Sequence, residues 1–453
     1  MHYDVAIIGA GPGGYTAAEA AAAEGLSVVL FEKDELGGTC LNRGCVPTKA
    51  LLHAAETWGA VQRSEELGIH VEGASYDFAA IHARKDEVVS DLRDGIAKLM
   101  RAGKVEVVSG TAKIVGEGAV ECDGERCEAA DIIVATGSIP SVPPIAGREL
   151  PGVYTSDDLL EGGGVELSSL AIIGGGVIGV EMAGVYAQLG CEVTVLEALD
   201  HILPPMDKDI AQRLSASFRK QGVKTQAKAM VKGIERADDG TMTVSYEDKK
   251  GVLQQVGAQG VLIATGRRAY TEGLFAEGCA PEMERGAIVG DGLGRTSIPH
   301  LYVIGDAKSR NIQLAHVAEA QARNAVAAIV SKPAPVDVNL VPSCVYTSPE
   351  IATVGMTEAE ALAAGREVRC AKYLSGANAK CAIEGSGSGY IKLVADAASG
   401  VLLGAQLVYP RATDIVSELS LAIERGLTAE EVAAVIHPHP TFAEGVAAAA
   451  RQL

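Results

Sequence analysis

The apolar run YDVAIIG at residues 3–9 breaks into GAGPGG. The alanine-rich stretch TAAEAAAAEG follows, and then a second apolar run, SVVLFE, which ends at Glu32. A short apolar run, a glycine knot, a small-residue segment and another short run predict a buried strand, a tight turn, a helix and a parallel strand. The series repeats from residue 170, where LAIIGGG leads through VIGVEMAGVYA to EVTVLE and Glu197. This second stretch is nearly long enough to cross a bilayer, but it carries Glu181 and five glycines, so strand, turn and helix explain it better than a membrane span.

Between the two units the period changes. Residues 104–135 alternate in short segments separated by Gly and Asp-Gly, which predicts a β-meander, and residues 241–266 repeat the pattern. Both stretches run into ATG, at 135–137 and 264–266, as if each unit returned a last strand to its own sheet. The proline-rich IPSVPPIAG marks a crossover, LYVIGDA at 301–307 predicts one more buried strand, and AHVAEAQARNAVAAIV predicts a helix. SKPAPVDVNLVP at 331–342 reads as a linker, and the remainder opens on strands and finishes on helices. The fold class is α/β, with two Rossmann-like units and a C-terminal α+β domain.

Composition narrows the function. The chain has 453 residues, 48% of them hydrophobic, and a formal net charge of -19, which opposes attraction to nucleic acid or anionic lipid. The N-terminal MHYDVAIIGAG has no basic, apolar and cleavage-site sequence of a secretory signal, so a cytoplasmic location is expected. Nine cysteines, seven of them scattered, do not suggest a secreted disulfide framework.

Glycine spacing supplies the first candidate site. Gly9, Gly11 and Gly14 form G-x-G-x-x-G, with roles in the tight turn, in backbone approach to a pyrophosphate and in close helix–strand packing. Gly174, Gly176 and Gly179 repeat it. Glu32 and Glu197 lie at matching strand ends, each placed to accept hydrogen bonds from a ribose diol. Glu197 would repel a 2′-phosphate and no arginine lies near it before Arg213, so the second site should prefer NAD over NADP.

Two C-x-x-x-x-C pairs supply the second. In an ideal helix Cys40 and Cys45 would point about 140° apart, so a bond between them needs a distorted helix, for which Gly44 and Pro47 give reasons. Cys122 and Cys127 flank Asp-Gly, the centre of a two-residue hairpin, in which Cys122 faces Glu125 and Cys127 faces Val120. No second Cys or His pair lies nearby, so neither zinc nor any other metal is expected.

GGTCLNRGCVPTK, the two glycine turns, IGDA and HPHPTFAE together resemble the pyridine nucleotide-disulfide oxidoreductases from end to end of the chain. The resemblance implies an FAD-binding domain over 1–147, an NAD-binding domain over 148–268, a return to the FAD-binding part over 269–335 and a dimerisation domain over 336–453. It implies FAD contacts at the first turn, Glu32, Lys49, Ala112, Thr136, Gly137, Ser138 and Asp306. Gln313, Leu314, Ala315 and His316 follow Asp306 with one residue more than the common spacing. NAD contacts would include the second turn, Glu181, Glu197, Val231 and Gly266, with Glu181 pairing to Lys49.

The resemblance further makes Cys40–Cys45 a redox disulfide, with Cys40 exchanging with substrate and Cys45 facing the flavin. His439 would be the base and Glu444 its orienting group, although His437 could serve on the residues alone. His439 is remote in sequence from the cysteines, and the resemblance implies that it arrives from a second subunit of a homodimer. The implied activity is oxidation of dihydrolipoamide carried by a lipoyl-bearing protein of a 2-oxo acid dehydrogenase complex or glycine cleavage system, with NAD reduction. Glutathione-type members commonly use NADP, and mercuric reductases carry a C-terminal cysteine pair, whereas the last cysteine here is Cys381. A flavoprotein kept as a scaffold would have lost Cys40, Cys45 or His439, and all three are present.

Overall fold

Residues 2–453 are described by a computed structural model, in which the first apolar run becomes the strand His2–Ile8. Its last four residues are buried because parallel strands flank it, Val28–Glu32 on one side and Glu125–Val134 on the other. The sheet runs in the order Glu106–Ser109, Val28–Glu32, His2–Ile8, Glu125–Val134, Ala119–Cys122 and Ala112–Gly116. The long strand Glu125–Val134 changes partner along its outer edge. Glu125 to Glu128 pair antiparallel with Ala119–Cys122, and Ile132 to Val134 pair parallel with Leu301–Val303.

This sheet belongs to one of two compact units, built from residues up to Pro143, Tyr154–Glu166 and Thr265–Val338. Helices Pro12–Ala23 and Ala315–Ile329 pack on it through Ala17, Ala18, Ala21, Ala322 and Ala325, small side chains that let helices and sheet approach closely. One expectation is corrected. Residues 106–109 do not open a meander but pair in parallel with Val28–Glu32. The cause is the 25-residue helix Phe78–Ala102, whose crossover returns the chain in the same direction, as parallel pairing requires.

The second unit comprises Pro144–Val153, Leu167–Ala264 and Asn339–Leu453. Its parallel sheet, Lys224–Ala227, Glu192–Glu197, Ser169–Ile173 and Gly260–Ile263, carries the helix Val177–Gln188. Met230–Arg236, Met242–Glu247 and Leu253–Ala258 form a separate antiparallel meander, after which Gly260–Ile263 returns to the parallel sheet. The C-terminal part is a five-stranded antiparallel sheet covered by Ala412–Glu424, Ala429–Ala434 and Glu444–Ala450. Among the described residues no helix is long and apolar enough to cross a membrane, and no group of three or more His, Cys, Asp or Glu side chains is placed to hold a metal ion.

Candidate functional site

The two glycine turns have the same build. Gly9 has φ +101°, and a Cβ on Gly14 would lie 1.7 Å from the Gly9 carbonyl oxygen, so both positions exclude any larger residue. Gly174 has φ +110°, and a Cβ on Gly179 would lie 2.0 Å from the Gly174 oxygen. Gly11 and Gly176 stand at the starts of their helices, where no side chain caps the first-turn N–H groups. Those donors and the helix dipole suit a pyrophosphate.

The acidic residues match too. Glu32 accepts from the backbone N–H of Ala10 at 2.7 Å and of Asp34 at 2.9 Å, and Glu197 accepts from Gly175 at 2.7 Å and Leu199 at 2.8 Å. These bonds pin each carboxylate at its strand end beside the turn and leave further lone pairs for a ligand. The residues present therefore fit two dinucleotides, one in each unit.

Around the first turn, Ser138 donates to Asp306 at 2.6 Å and accepts from Arg267 Nε at 2.8 Å. Arg267 also donates to the Ser138 carbonyl and, at 3.4 Å, to the hydroxyl of Thr39, the residue before Cys40. Burial pushes the Asp306 carboxyl up, and Ser138 and Arg267 oppose that rise. Arg267 escapes sequence reasoning, and its only signal is its place directly after the second ATG. Thr136 donates to the Tyr270 carbonyl, Gly137 has φ +70°, and Ala112 is buried in an edge strand.

Gln313 and Leu314 precede the helix that starts with Ala315 and His316. Before them Arg310 takes φ +53°, and Asn311 bonds to the Gly305 carbonyl and to Gln321, which itself accepts from Gly305. In the second unit Glu181 is buried and accepts from the Tyr346 backbone, Val231 is half-buried in the strand Met230–Arg236, and in the first unit Gly266 has φ +117°.

Cys40 and Cys45 are joined in a disulfide, their Cα atoms 4.7 Å apart. The helix is interrupted as the geometry requires: Gly38–Arg43 stops, Gly44 turns, and Cys45–Gln62 begins, carrying Lys49 half-buried near its start. A Cβ on Gly44 would stand 2.9 Å from the Thr39 oxygen and 3.3 Å from Cys40 Cα, so only glycine allows this close return. Asn42 donates to the Leu36 and Gly38 carbonyls, and Arg43 pairs with Asp34 and Glu161, which fixes the intervening residues. Cys122 and Cys127 are free thiols in the expected hairpin register, opposite Glu125 and Val120.

The two C-terminal histidines differ. His437 contacts Glu418 through Nε2 and the Val435 carbonyl through Nδ1, both at 2.9 Å, with its side chain 7% exposed. His439 uses Nδ1 on Glu444 at 2.8 Å, and its side chain is 70% exposed. His439 thus presents its other ring nitrogen outward while a carboxylate fixes the ring, the arrangement of a proton acceptor.

The profile described as pyridine nucleotide-disulphide oxidoreductase matches residues 3–322, and that of the same family's dimerisation domain matches residues 341–450. The chain is 39% identical to the dihydrolipoyl dehydrogenase of Geobacillus stearothermophilus over 448 residues, covering 97% of this chain and 93% of that protein. It is also 39% identical to the dihydrolipoyl dehydrogenase of Thermus scotoductus over 453 residues, covering 100% and 97%. Among solved structures, LpdA from Mycobacterium tuberculosis superposes with a TM-score of 0.90 at 27% identity, covering 99% of each chain. The HOCl-induced flavoprotein disulfide reductase RclA from Escherichia coli, as its Cu(II) complex, gives 0.88 at 28% identity, covering 100% of each. With a disulfide behind the first of two dinucleotide turns, the chain belongs to the pyridine nucleotide-disulphide oxidoreductase family, whose dihydrolipoyl dehydrogenases use FAD and NAD.

Proposed function

We propose that the protein is a dihydrolipoyl dehydrogenase, oxidising protein-bound dihydrolipoamide and reducing NAD+ to NADH. The observation that carries this reading is the Cys40–Cys45 disulfide set directly after the first strand, turn, helix and strand, in a chain 39% identical along nearly its whole length to enzymes of that name. FAD at the first turn would supply the two-electron relay between the dithiol and NAD+. Gly11, Glu32, Ser138 and Asp306 would hold it, Lys49 would lie beside its ring, and Gly176, Glu181 and Glu197 would hold NAD.

One substrate thiolate attacks Cys40 Sγ and displaces Cys45 as a thiolate. The second substrate thiolate then attacks its own sulfur in the mixed disulfide, closing lipoamide and freeing Cys40. Two electrons pass to the protein sulfurs as two S–H protons leave the substrate. The partner subunit's His439, its ring oriented by a carboxylate, would take the first proton and hand it to Cys40 as that sulfur is freed, and then take the second. The homodimer suggested by the dimerisation domain would therefore hold two shared sites. The lipoyl group would come from another chain, and the setting would be cytoplasmic.

RclA-like structural neighbours make reduction of another oxidant the competing reading. Steady-state NAD+ reduction by dihydrolipoamide tests the assignment. Wild-type protein should turn over and Cys40→Ser should not, and turnover surviving in the serine variant would overturn it.

A further inference from the structure

The loop carrying His439 is held from behind by one side chain, Asn378. Asn378 is 2% exposed, and its Nδ2 donates to the Thr441 carbonyl at 3.0 Å and reaches Glu444 Oε1 at 3.4 Å. Its Oδ1 accepts from the backbone N–H of Cys381, capping the short helix Ala379–Ile383. Glu444 thus gives Oε2 to His439 and Oε1 to Asn378. The loop has further ties of its own: Thr441 Oγ1 donates to the Pro438 carbonyl and accepts from the Glu444 N–H.

The uncharged part of the wall around Glu444 is two tyrosines and a cysteine. Tyr373, Tyr409 and Cys381 face it, and burial pushes all three up, so they stay neutral at ordinary pH; Arg451 acts on Tyr373. The Tyr409 hydroxyl has no nitrogen or oxygen partner and blocks the space beside Gly445, where a Cβ would lie 2.8 Å from it. The Asn378 amide is the side-chain donor that reaches the second oxygen of Glu444.

We propose that Asn378 is a positioning residue for the proton acceptor: its amide holds the Glu444 carboxylate in the rotamer that orients the His439 ring. The inference rests on His439 being that acceptor. A residue fixing an acid–base group should affect the rate and not substrate affinity. A serine at 378 keeps a helix-capping oxygen but is too short to reach Thr441 and Glu444.

The test uses the FAD-loaded dimer with dihydrolipoamide and NAD+. Asn378→Ser should lower kcat on the order of tenfold, part of the about 10²–10⁴-fold that a positioned base contributes, with KM for dihydrolipoamide within twofold and a Tm close to wild type. Asn378→Asp keeps the cap but donates only when its new carboxyl is protonated. Its rate relative to wild type should therefore rise as the pH falls from 8 to 5.5. A serine variant with wild-type kcat, a serine variant losing rate only in step with Tm, or an aspartate ratio flat with pH would each overturn the inference. His439→Gln is the separate control. If it retains wild-type turnover, the reading of His439 fails; if it is inactive while Asn378→Ser is unimpaired, only the role of Asn378 fails.

Discussion

Gly44→Ala places a methyl group 2.9 Å from the Thr39 oxygen and 3.3 Å from Cys40 Cα. Both are backbone atoms, so no side-chain rotation relieves the contact. A shift of about half an ångström is needed to restore ordinary separation, and it must come from the segment that brings Cys40 to Cys45. Overpacking of this kind costs about 1–3 kcal/mol. While the disulfide is closed the segment cannot open to absorb it; once reduced, the residues between the cysteines can relax. The oxidised form thus bears most of the cost, and since about 1.4 kcal/mol corresponds to 30 mV for a two-electron couple, the Cys40–Cys45 potential should rise by roughly 20–60 mV. Anaerobic equilibration against a dithiol/disulfide buffer, read by thiol counting, measures it. An unchanged potential with unchanged turnover would refute the claim that Gly44 serves close approach.

Ser138→Ala removes a donor from a buried carboxylate and should cost about 2 kcal/mol at pH 7. Burial raises Asp306, so the deficit in urea unfolding should shrink as the pH falls and that carboxyl protonates. A deficit constant with pH would contradict this origin. Cys122→Ser with Cys127→Ser should leave dihydrolipoamide turnover within about twofold, the thiols being apart in register and pushed up by burial; loss of turnover with retained folding would assign them a part in the chemistry. Backbone N–H donors in turns hold Asp239, Asp248 and Asp396 below the usual aspartate range. Their stabilisation is complete above that range and is lost as the pH falls through their lowered native values. Asp396→Asn should accordingly flatten part of the decline in urea midpoint between pH 5 and pH 3, and an unaltered slope would exclude that residue as a contributor.

What the sequence made legible was local. Gly9, Gly14, Gly174 and Gly179 sit in turns whose closeness is decided within a few residues, and Glu32 and Glu197 follow at fixed distances, so the spacing carries the geometry. The break at Gly44 was readable for the same reason. The partner of residues 106–109 was not, because parallel pairing is set by a 25-residue crossover and not by the alternation of four side chains. Arg267 and Asn378 stayed hidden because each acts across the chain, Arg267 on Ser138 and Thr39, Asn378 on Thr441 and Glu444. Read locally, Asn378 is only a helix cap. His437 and His439 were equivalent in sequence until burial and partners separated them.

In the proposed reaction Cys40–Cys45 passes electrons from a dihydrolipoyl group to NAD+. Initial rates of the FAD-loaded dimer, measured side by side for dihydrolipoamide with NAD+, dihydrolipoamide with NADP+, and NADH with oxidised glutathione, test it most directly. Rapid turnover is expected in the first mixture and at least about a tenfold lower kcat/KM in the second, where Glu197 meets the 2′-phosphate. Little turnover is expected in the third, and none in any mixture after Cys40→Ser. Turnover with glutathione but not with dihydrolipoamide, or a preference for NADP+, would contradict the proposed reaction.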